Sequence, residues 1–270
     1  MKKRIFALFL SVLLLATVLC ACGDTKQEEA GGVGSDGTSS SGAVVDGGEM
    51  VVGIAQDLGD SLDPYQMTAA GTREVLFNIY EGLVKPNASG EYVPAVASES
   101  TVSEDGLTYT FPLREGVLFH NGAAVTTDDV IYSFKTCAET TVDTALAEAL
   151  SSVKDITADG NTVTVTLKEA NPDFLSYVGM VYIVPADYTD EATAPVGTGP
   201  FQFVSRSVQE NLIVEKFADY WGEKAHLDKV TFKIYEDANA LMSALSAGSV
   251  DMAGHLTIDQ VDTIGTGTYK

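Results

Sequence analysis

The sequence is poor in the residues that most often carry metal binding and covalent catalysis. Its 270 residues include three cysteines, three histidines and one tryptophan, and His120, His226 and His255 lie far apart along the chain. It contains no H-E-x-x-H, G-x-S-x-G or G-x-x-x-x-G-K-[ST] pattern, the signatures of zinc peptidases, serine hydrolases and P-loop proteins. The sequence therefore supports none of these classes, and we expect neither a bound metal nor a cofactor.

Basic residues are also scarce. The chain has 16 lysines and arginines against 38 aspartates and glutamates, a formal charge of -22. Such a surface repels nucleic acid and anionic lipid headgroups, so we expect no nucleic-acid partner. Two interpretations stay open, solubility outside the cell and attraction of cationic ligands. Nothing in the sequence indicates oligomerisation, and we expect a monomer.

One long apolar run stands at the start of the chain. Residues 5–19 are almost continuously apolar and follow Lys2, Lys3 and Arg4, which is typical of an export signal and too short for a spanning helix. The residues Leu-Cys-Ala-Cys at 19–22 precede a glycine and resemble a bacterial lipobox. We therefore predict a signal peptide over residues 1–21 and lipidation of Cys22, the alternative being an ordinary signal peptide.

Loss of that signal would leave Cys137 as the one free side-chain thiol and take the formal charge from -22 to -25, because the signal carries three basic residues and no acidic one. Residues 22–48 follow as a stretch rich in glycine, serine and acidic residues without an aromatic side chain. Such a composition predicts a disordered linker. We expect anchoring on the outer face of the cell membrane, and the long linker favours a Gram-positive envelope.

Residues 49–270 mix strand and helix patterns. The segments GLTYTFPL and DGNTVTVTL alternate apolar and polar residues after Asp-Gly turns, FQFVSRSVQENLIVEKF predicts an antiparallel pair, and KVTFKIY predicts another strand. Helical spacing appears in TREVLFNIYEGL and in DANALMSALSAG, where Asp237 can cap the helix and Gly248 can end it. The pattern predicts an α+β fold.

The stretch LFHNGAAVTTDDVIYSF contains side chains that suit a hydrolase or a metal site. Thr126 followed by Asp129 fits a capping box, however, and two adjacent aspartates diverge by about 100° around a helix. Val130, Ile131, Phe134 and Cys137 follow at helical spacing, which predicts that Cys137 faces a core. We interpret this stretch as structural.

Several segments taken in order resemble a known family. SLDPYQMTAAGTREVLFNIYEGL, LTYTFPLREGVLFHNGAAVTTDDVIYSF, GTGPFQF, ADYWGEKAHLDKVTFKIYED and ALSAGSVDMAG are similar to the bacterial extracellular solute-binding proteins of family 5, over residues 51–253. That family comprises oligopeptide-, dipeptide- and nickel-binding receptors of ABC importers. The resemblance implies a receptor, not an enzyme, that passes a solute to an importer permease.

The same resemblance implies the architecture, a periplasmic-binding-protein-like lobe of type II, cluster C-like, with an inserted subdomain. Residues 49–82 and 183–270 would form the sheet domain of lobe I, and residues 83–182 the insertion. Family members have two lobes, and this sequence stops at Lys270, about where the family's chain crosses to the second lobe. We therefore expect an incomplete chain whose second lobe is absent.

By resemblance, the ligand lies along the loop that follows LDP, where backbone groups hold an extended peptide. The corresponding residues here are Met67, Thr68, Ala69, Ala70 and Gly71. Gly254 and His255 match a cleft-lining position, although His255 is equally well explained as a solvated loop residue. The resemblance favours a peptide as ligand and leaves a metal chelate or another small molecule open. Trp221 in DYWG is better explained by packing.

Two other interpretations are kept. An exported hydrolase would need paired acids, and Asp60 and Asp63 beside Tyr65 are the candidates, although a turn at residues 62–64 explains them more simply. The second is a single-lobe interaction module that binds the permease without a solute.

Overall fold

The computed structural model describes residues 45–254 and residue 256. The predicted signal, the lipidation residue Cys22, most of the linker, and His255 lie outside the described residues. The elements follow one another as β1 Glu49–Ile54, α1 Ala70–Leu76, β2 Val84–Pro86, β3 Tyr92–Pro94, β4 Thr101–Val102, β5 Thr108–Pro112, α2 Thr127–Thr140, α3 Thr144–Ser151, β6 Val153–Asp159, β7 Thr162–Leu167, α4 Phe174–Val178, β8 Phe201–Ser207, β9 Asn211–Lys216, β10 Lys229–Ile234, α5 Ala238–Ser246 and β11 Met252–Ala253.

A five-stranded mixed sheet has the order β11-β1-β10-β9-β8. β1 pairs in parallel with both β10 and β11, while β8, β9 and β10 are antiparallel neighbours. Val230 and Phe232 of β10 lie opposite Val214 and Leu212 of β9, and all four side chains are buried. The predicted β8–β9 hairpin and β10 strand are confirmed.

A four-stranded antiparallel sheet has the order β4-β5-β7-β6, and β2 pairs with β3 separately. Tyr109 and Phe111 of β5 lie opposite Val165 and Val163 of β7 and are buried with them. The alternation in the sequence predicted these faces correctly, because side chains of a strand point alternately to its two sides.

The stretch that resembled a hydrolase site begins α2. The Thr126 hydroxyl accepts a hydrogen bond from the Asp129 amide at 3.3 Å, and the Asp129 carboxylate accepts one from the Thr126 amide at 2.8 Å. The other Asp129 oxygen accepts from the Ala186 amide at 2.9 Å, and Cys137 is fully buried. The predicted capping box and the core position of Cys137 are therefore confirmed.

The prediction of a helix over TREVLFNIYEGL was only partly correct, because α1 ends at Leu76. The Asn78 side chain binds the carbonyls of Glu74 and Val75, and the carbonyls of Asn78 and Ile79 accept from the amides of Phe201 and Gly199. After Leu76, hydrogen bonds from the backbone to a distant loop therefore replace the continued helix that the sequence predicted.

That distant loop, residues 197–201, is the GTGPF segment, which leads into β8 as predicted. A Cβ at Gly197 would lie 2.2 Å from the Ile79 carbonyl oxygen, and one at Gly199 would lie 2.5 Å from that of Asn78. His120 fixes the same loop: its Nδ1 accepts from the Gly197 amide at 3.2 Å, and its Nε2 lies 3.0 Å from the Gly199 carbonyl. Burial lowers the pKa of His120 to about 4, which favours the neutral ring that this pairing requires.

Trp221 has the packing role that its sequence context suggested. Its indole N–H donates to the buried carboxylate of Glu81 at 2.8 Å, and the Arg114 guanidinium stacks 4.3 Å from its ring centroid. The Tyr220 hydroxyl and the Lys85 ammonium bind the other Glu81 oxygen, each at 2.7 Å. Among residues 45–254, no helix is long and apolar enough to cross a bilayer.

Candidate functional site

The three parallel strands β1, β10 and β11 end at one edge of the five-stranded sheet. Gly254 follows β11 directly, and its amide donates to the Gly53 carbonyl of β1 at 3.0 Å. The Tyr235 amide, just after β10, donates to the Ile54 carbonyl at 2.8 Å. The carboxyl ends of parallel strands are the usual place for a ligand in open α/β sheets. Gly254 therefore lies at the edge of the sheet where a ligand is expected.

The predicted ligand loop, residues 67–71, lies at the same edge, although its last two residues, Ala70 and Gly71, are the first residues of α1 and not part of a loop. A Cβ at Gly71 would lie 3.6 Å from the side-chain oxygen of Gln56, which follows β1 by two residues. Met67 is buried in the core, whereas Thr68 and Ala70 are exposed. The loop thus offers small exposed side chains between two fixed ends, a surface that another backbone can approach closely.

The connection between α2 and α3 holds this loop in place. The Val142 amide donates to the Tyr65 carbonyl at 3.1 Å, and the Gln66 side-chain amide donates to the Thr140 carbonyl. The Tyr65 hydroxyl donates to the Tyr182 carbonyl at 2.7 Å. The two residues that precede the loop are thus fixed to two other segments, and such preorganisation lowers the entropy cost of binding.

A cavity of about 120 Å³ opens beside the loop. Met67 and Arg73 line one side, and Asp143, Leu146 and Tyr182 are among the residues that line the other. A second cavity of about 330 Å³ lies next to it and shares Met180 and Tyr182 with it. We call these two adjoining cavities the groove.

One ion pair crosses the smaller cavity. The Arg73 guanidinium lies 3.4 Å from an Asp143 oxygen, and Asp143 also caps α3 by accepting from the amides of Ala145 and Leu146. Burial raises the pKa of the Tyr182 hydroxyl, and the nearby positive charge of Arg73 opposes that rise. The cavity therefore combines a neutral phenol, an arginine and apolar surface.

Sequence reasoning missed Arg73, Asp143, Met180 and Tyr182. Arg73 could have been noticed as a cation two residues after the predicted loop in a very acidic chain. Asp143 carried the signal of a helix cap, but nothing in the sequence indicated that it faces Arg73 across 70 positions.

Asp60 and Asp63, the two acids considered for a hydrolase, do not form a catalytic pair among the described residues. Asp63 accepts from the Tyr65 amide at 2.8 Å and its own amide binds the Ser61 hydroxyl, which is the turn that the sequence indicated. Asp60 is exposed. Within residues 45–254, no group of three or more histidine, cysteine, aspartate or glutamate side chains is placed to hold a metal ion.

Comparison with known proteins identifies the family of the chain. The family model for bacterial extracellular solute-binding proteins, family 5 Middle, matches residues 91–270. The nickel-binding periplasmic protein of Escherichia coli strain K12 is 30% identical over 184 residues, which cover 64% of this chain and 35% of that protein. The oligopeptide-binding protein OppA of Bacillus subtilis strain 168 is 27% identical over 298 residues, covering 100% of this chain and 53% of that protein.

The fold has solved counterparts. The ABC transporter-associated periplasmic binding protein DppA from Helicobacter pylori, in complex with the peptide STSA, superposes with a TM-score of 0.75 at 30% identity. The superposition covers 83% of this chain and 50% of that chain. The chain thus spans about half the length, or less, of these three relatives. The similarity of the folds confirms the predicted α+β lobe of the periplasmic-binding-protein type.

Proposed function

The chain belongs to family 5 of the bacterial extracellular solute-binding proteins, and from that premise we propose that it is a solute receptor of an ABC importer, with peptides as its ligands. The observation that carries the proposal is that Gly71, in the predicted ligand loop, lies near Gln56 just after β1, while Gly254 follows β11, the parallel neighbour of β1. A relative that binds oligopeptides and a structural neighbour that holds a peptide support this ligand class.

The groove gives a binding mechanism. An extended peptide lies along Thr68, Ala69 and Ala70, where small side chains leave the backbone accessible, and it is held in a strand-like manner. Gly254 follows β11 at this edge, and His255, the next residue in the sequence, is proposed as a further ligand contact. Because the residues before the loop are held in place, less of the free energy of binding is spent on ordering the loop.

The receptor cycle follows from a two-lobed architecture. We propose that residues 49–82 and 183–270 belong to the sheet domain of the first lobe and residues 83–182 to the inserted subdomain. The strands of the five-stranded sheet all come from the first set, and those of the two smaller sheets from the second. Ligand contacts with this lobe and with a second one favour a closed state, and the closed monomer binds the permease. Closure also excludes water from the ligand.

A thermal-shift titration of the purified full chain tests this function. The ligands are a mixed peptide library and nickel chelates, and we expect a concentration-dependent rise in melting temperature with peptides, because a ligand that binds only the folded state stabilises it. A rise with nickel chelates alone would contradict the peptide assignment. No rise with any ligand, together with retained binding to the permease, would favour the single-lobe interaction module.

Membrane attachment through Cys22 is a separate part of the proposal. The diacylglycerol and the amide-linked chain expected there provide two anchors, which hold a protein stably on a bilayer, on the outer face of the cell membrane. Metabolic labelling with a radioactive fatty acid tests it in the native host, for which a Gram-positive envelope is proposed. We expect label in the wild type and in Cys20→Ser, and none in Cys22→Ser. Label retained by Cys22→Ser would overturn the anchor.

A further inference from the structure

Arg73 has hydrogen-bonding capacity that its ion pair does not use. Its side chain is 44% exposed, and the distance of 3.4 Å to Asp143 is near the long limit for a hydrogen bond. A guanidinium carries five N–H donors in a planar arrangement that matches a carboxylate. Most of these donors are therefore available to a ligand in the smaller cavity.

Asp143 is much more fully occupied. One of its oxygens accepts from two amides at the start of α3, Ala145 and Leu146, each at 3.1 Å, and the other faces Arg73. This arrangement holds the Asp143 carboxylate in place as a helix cap. Of the two charged groups in the cavity, Arg73 is therefore the one that can take a new partner.

The larger cavity adjoins the smaller one at Met180 and Tyr182 and is lined by residues that follow α1. Phe77, the residue directly after α1 and four positions after Arg73, lines this cavity and is 58% exposed. Tyr92, Met180 and Tyr182 contribute further apolar surface to the same cavity. The two charged groups that line it, Glu81 and Lys85, neutralise each other at 2.7 Å. This cavity suits an apolar or aromatic group.

We propose that Arg73 binds a carboxylate of the ligand and that the larger cavity binds a large apolar or aromatic side chain next to that carboxylate. The shared residues Met180 and Tyr182 place the two subsites side by side. The ligand class is thus a peptide whose carboxyl-terminal residue has such a side chain. This inference rests on the proposed function and specifies the ligand end that the groove recognises.

Isothermal titration calorimetry on the full chain tests the carboxylate. The probes are Ala-Ala-Ala-Phe, its carboxyl-terminal amide and its N-acetyl form, and the proteins are the wild type, Arg73→Met, Arg73→Lys and the control Lys229→Met. Lys229 pairs with Glu49 on the sheet, outside the groove, and is a matched surface cation. Since hydrogen bonds to charged groups contribute more than neutral ones, we expect amidation to weaken wild-type binding by on the order of 10-fold.

In Arg73→Met the acid and the amide should bind equally, in Arg73→Lys the preference should be partly retained, and in Lys229→Met it should be unchanged. Phe77→Ala tests the apolar subsite, since an exposed residue can be shortened without disturbing the core. We expect this variant to lose most of the preference for Ala-Ala-Ala-Phe over Ala-Ala-Ala-Ala while keeping the preference for the acid over the amide.

The outcomes separate this inference from the receptor function. Binding of the peptides with the same effect of amidation in the wild type and in Arg73→Met would overturn the role of Arg73 and leave the receptor proposal intact. If N-acetylation weakened binding and amidation did not, the charged group that the protein recognises would be the ammonium of the peptide and not its carboxylate. That result would also overturn the inference. Failure of every peptide to bind would contradict the receptor proposal itself.

Discussion

Glu191 is a carboxyl group whose surroundings favour the protonated form. It is 8% exposed, and one of its oxygens accepts from the Tyr80 hydroxyl at 2.5 Å and from the Val196 amide at 3.0 Å. Its other oxygen is buried without a hydrogen-bond partner among the described residues. Burial raises the pKa of Glu191 from its usual 4.5 to about 7, and the two hydrogen bonds only partly oppose this.

A raised pKa makes the stability of the folded chain depend on pH. The contribution of Glu191 is fully present below pH 4.5 and is lost as the pH rises through about 7, because the folded state then holds a buried charge. We expect Glu191→Gln to gain stability relative to the wild type between pH 5 and pH 8, by up to about 3 kcal/mol. Urea unfolding at these two pH values measures the difference.

The exposed Glu210, on the β8–β9 turn, provides the control. Glu210→Gln should follow the wild-type curve at both pH values. If the wild type and Glu191→Gln showed the same change in unfolding free energy from pH 5 to pH 8, the buried carboxyl would not be the titrating group.

At the scale of elements, the end of α1 depends on two glycines of the 197–201 loop. Gly197→Ala would place a Cβ 2.2 Å from the Ile79 carbonyl oxygen, and Gly199→Ala one 2.5 Å from that of Asn78. Backbone atoms cannot move aside cheaply, so we expect each variant to lose about 3 kcal/mol or more of unfolding free energy. Thermal and urea unfolding measure this loss.

Gly254→Ala is the matched control, since the nearest atom to its Cβ would be the Gly53 carbonyl oxygen at an ordinary contact distance of 3.8 Å. We expect its stability to change by less than about 1 kcal/mol. Equal losses in Gly197→Ala and Gly254→Ala would show that the close approach of the two backbones does not fix the loop.

Local signals predicted the elements well where the structure is itself locally determined. The capping box at Thr126, the cap at Asp237 and the β6–β7 hairpin all rest on neighbours a few residues apart. The end of α1 and the pairing of Arg73 with Asp143 rest on segments 70 or more positions away. Spacing along the chain contains no information about such contacts, so the groove could not be predicted. The 67–71 segment came from the family resemblance, and its role in binding stays a prediction.

At the scale of the whole molecule, the excess of 38 acidic over 16 basic residues gives the chain a net negative charge and therefore a negative potential at long range. Such a field repels anionic ligands at long range, whereas Arg73 attracts a carboxylate only at short range. A ligand that is not repelled by the field and can also bind Arg73 has a net positive or neutral charge and a free carboxyl end. Short peptides with a free amino terminus have this charge distribution.

Association rates should reveal this field. In stopped-flow measurements at 10 mM salt, we expect Lys-Ala-Ala-Phe to associate on the order of 10-fold faster than Glu-Ala-Ala-Phe, because opposite charge raises the encounter rate. At 0.5 M salt the difference should nearly vanish, since the screening length falls to a few ångströms. Dissociation rates of the two peptides should respond less, because the contact with Arg73 is partly shielded from salt. A rate ratio that stayed constant with salt would mean that the acidity serves solubility alone and does not select ligands.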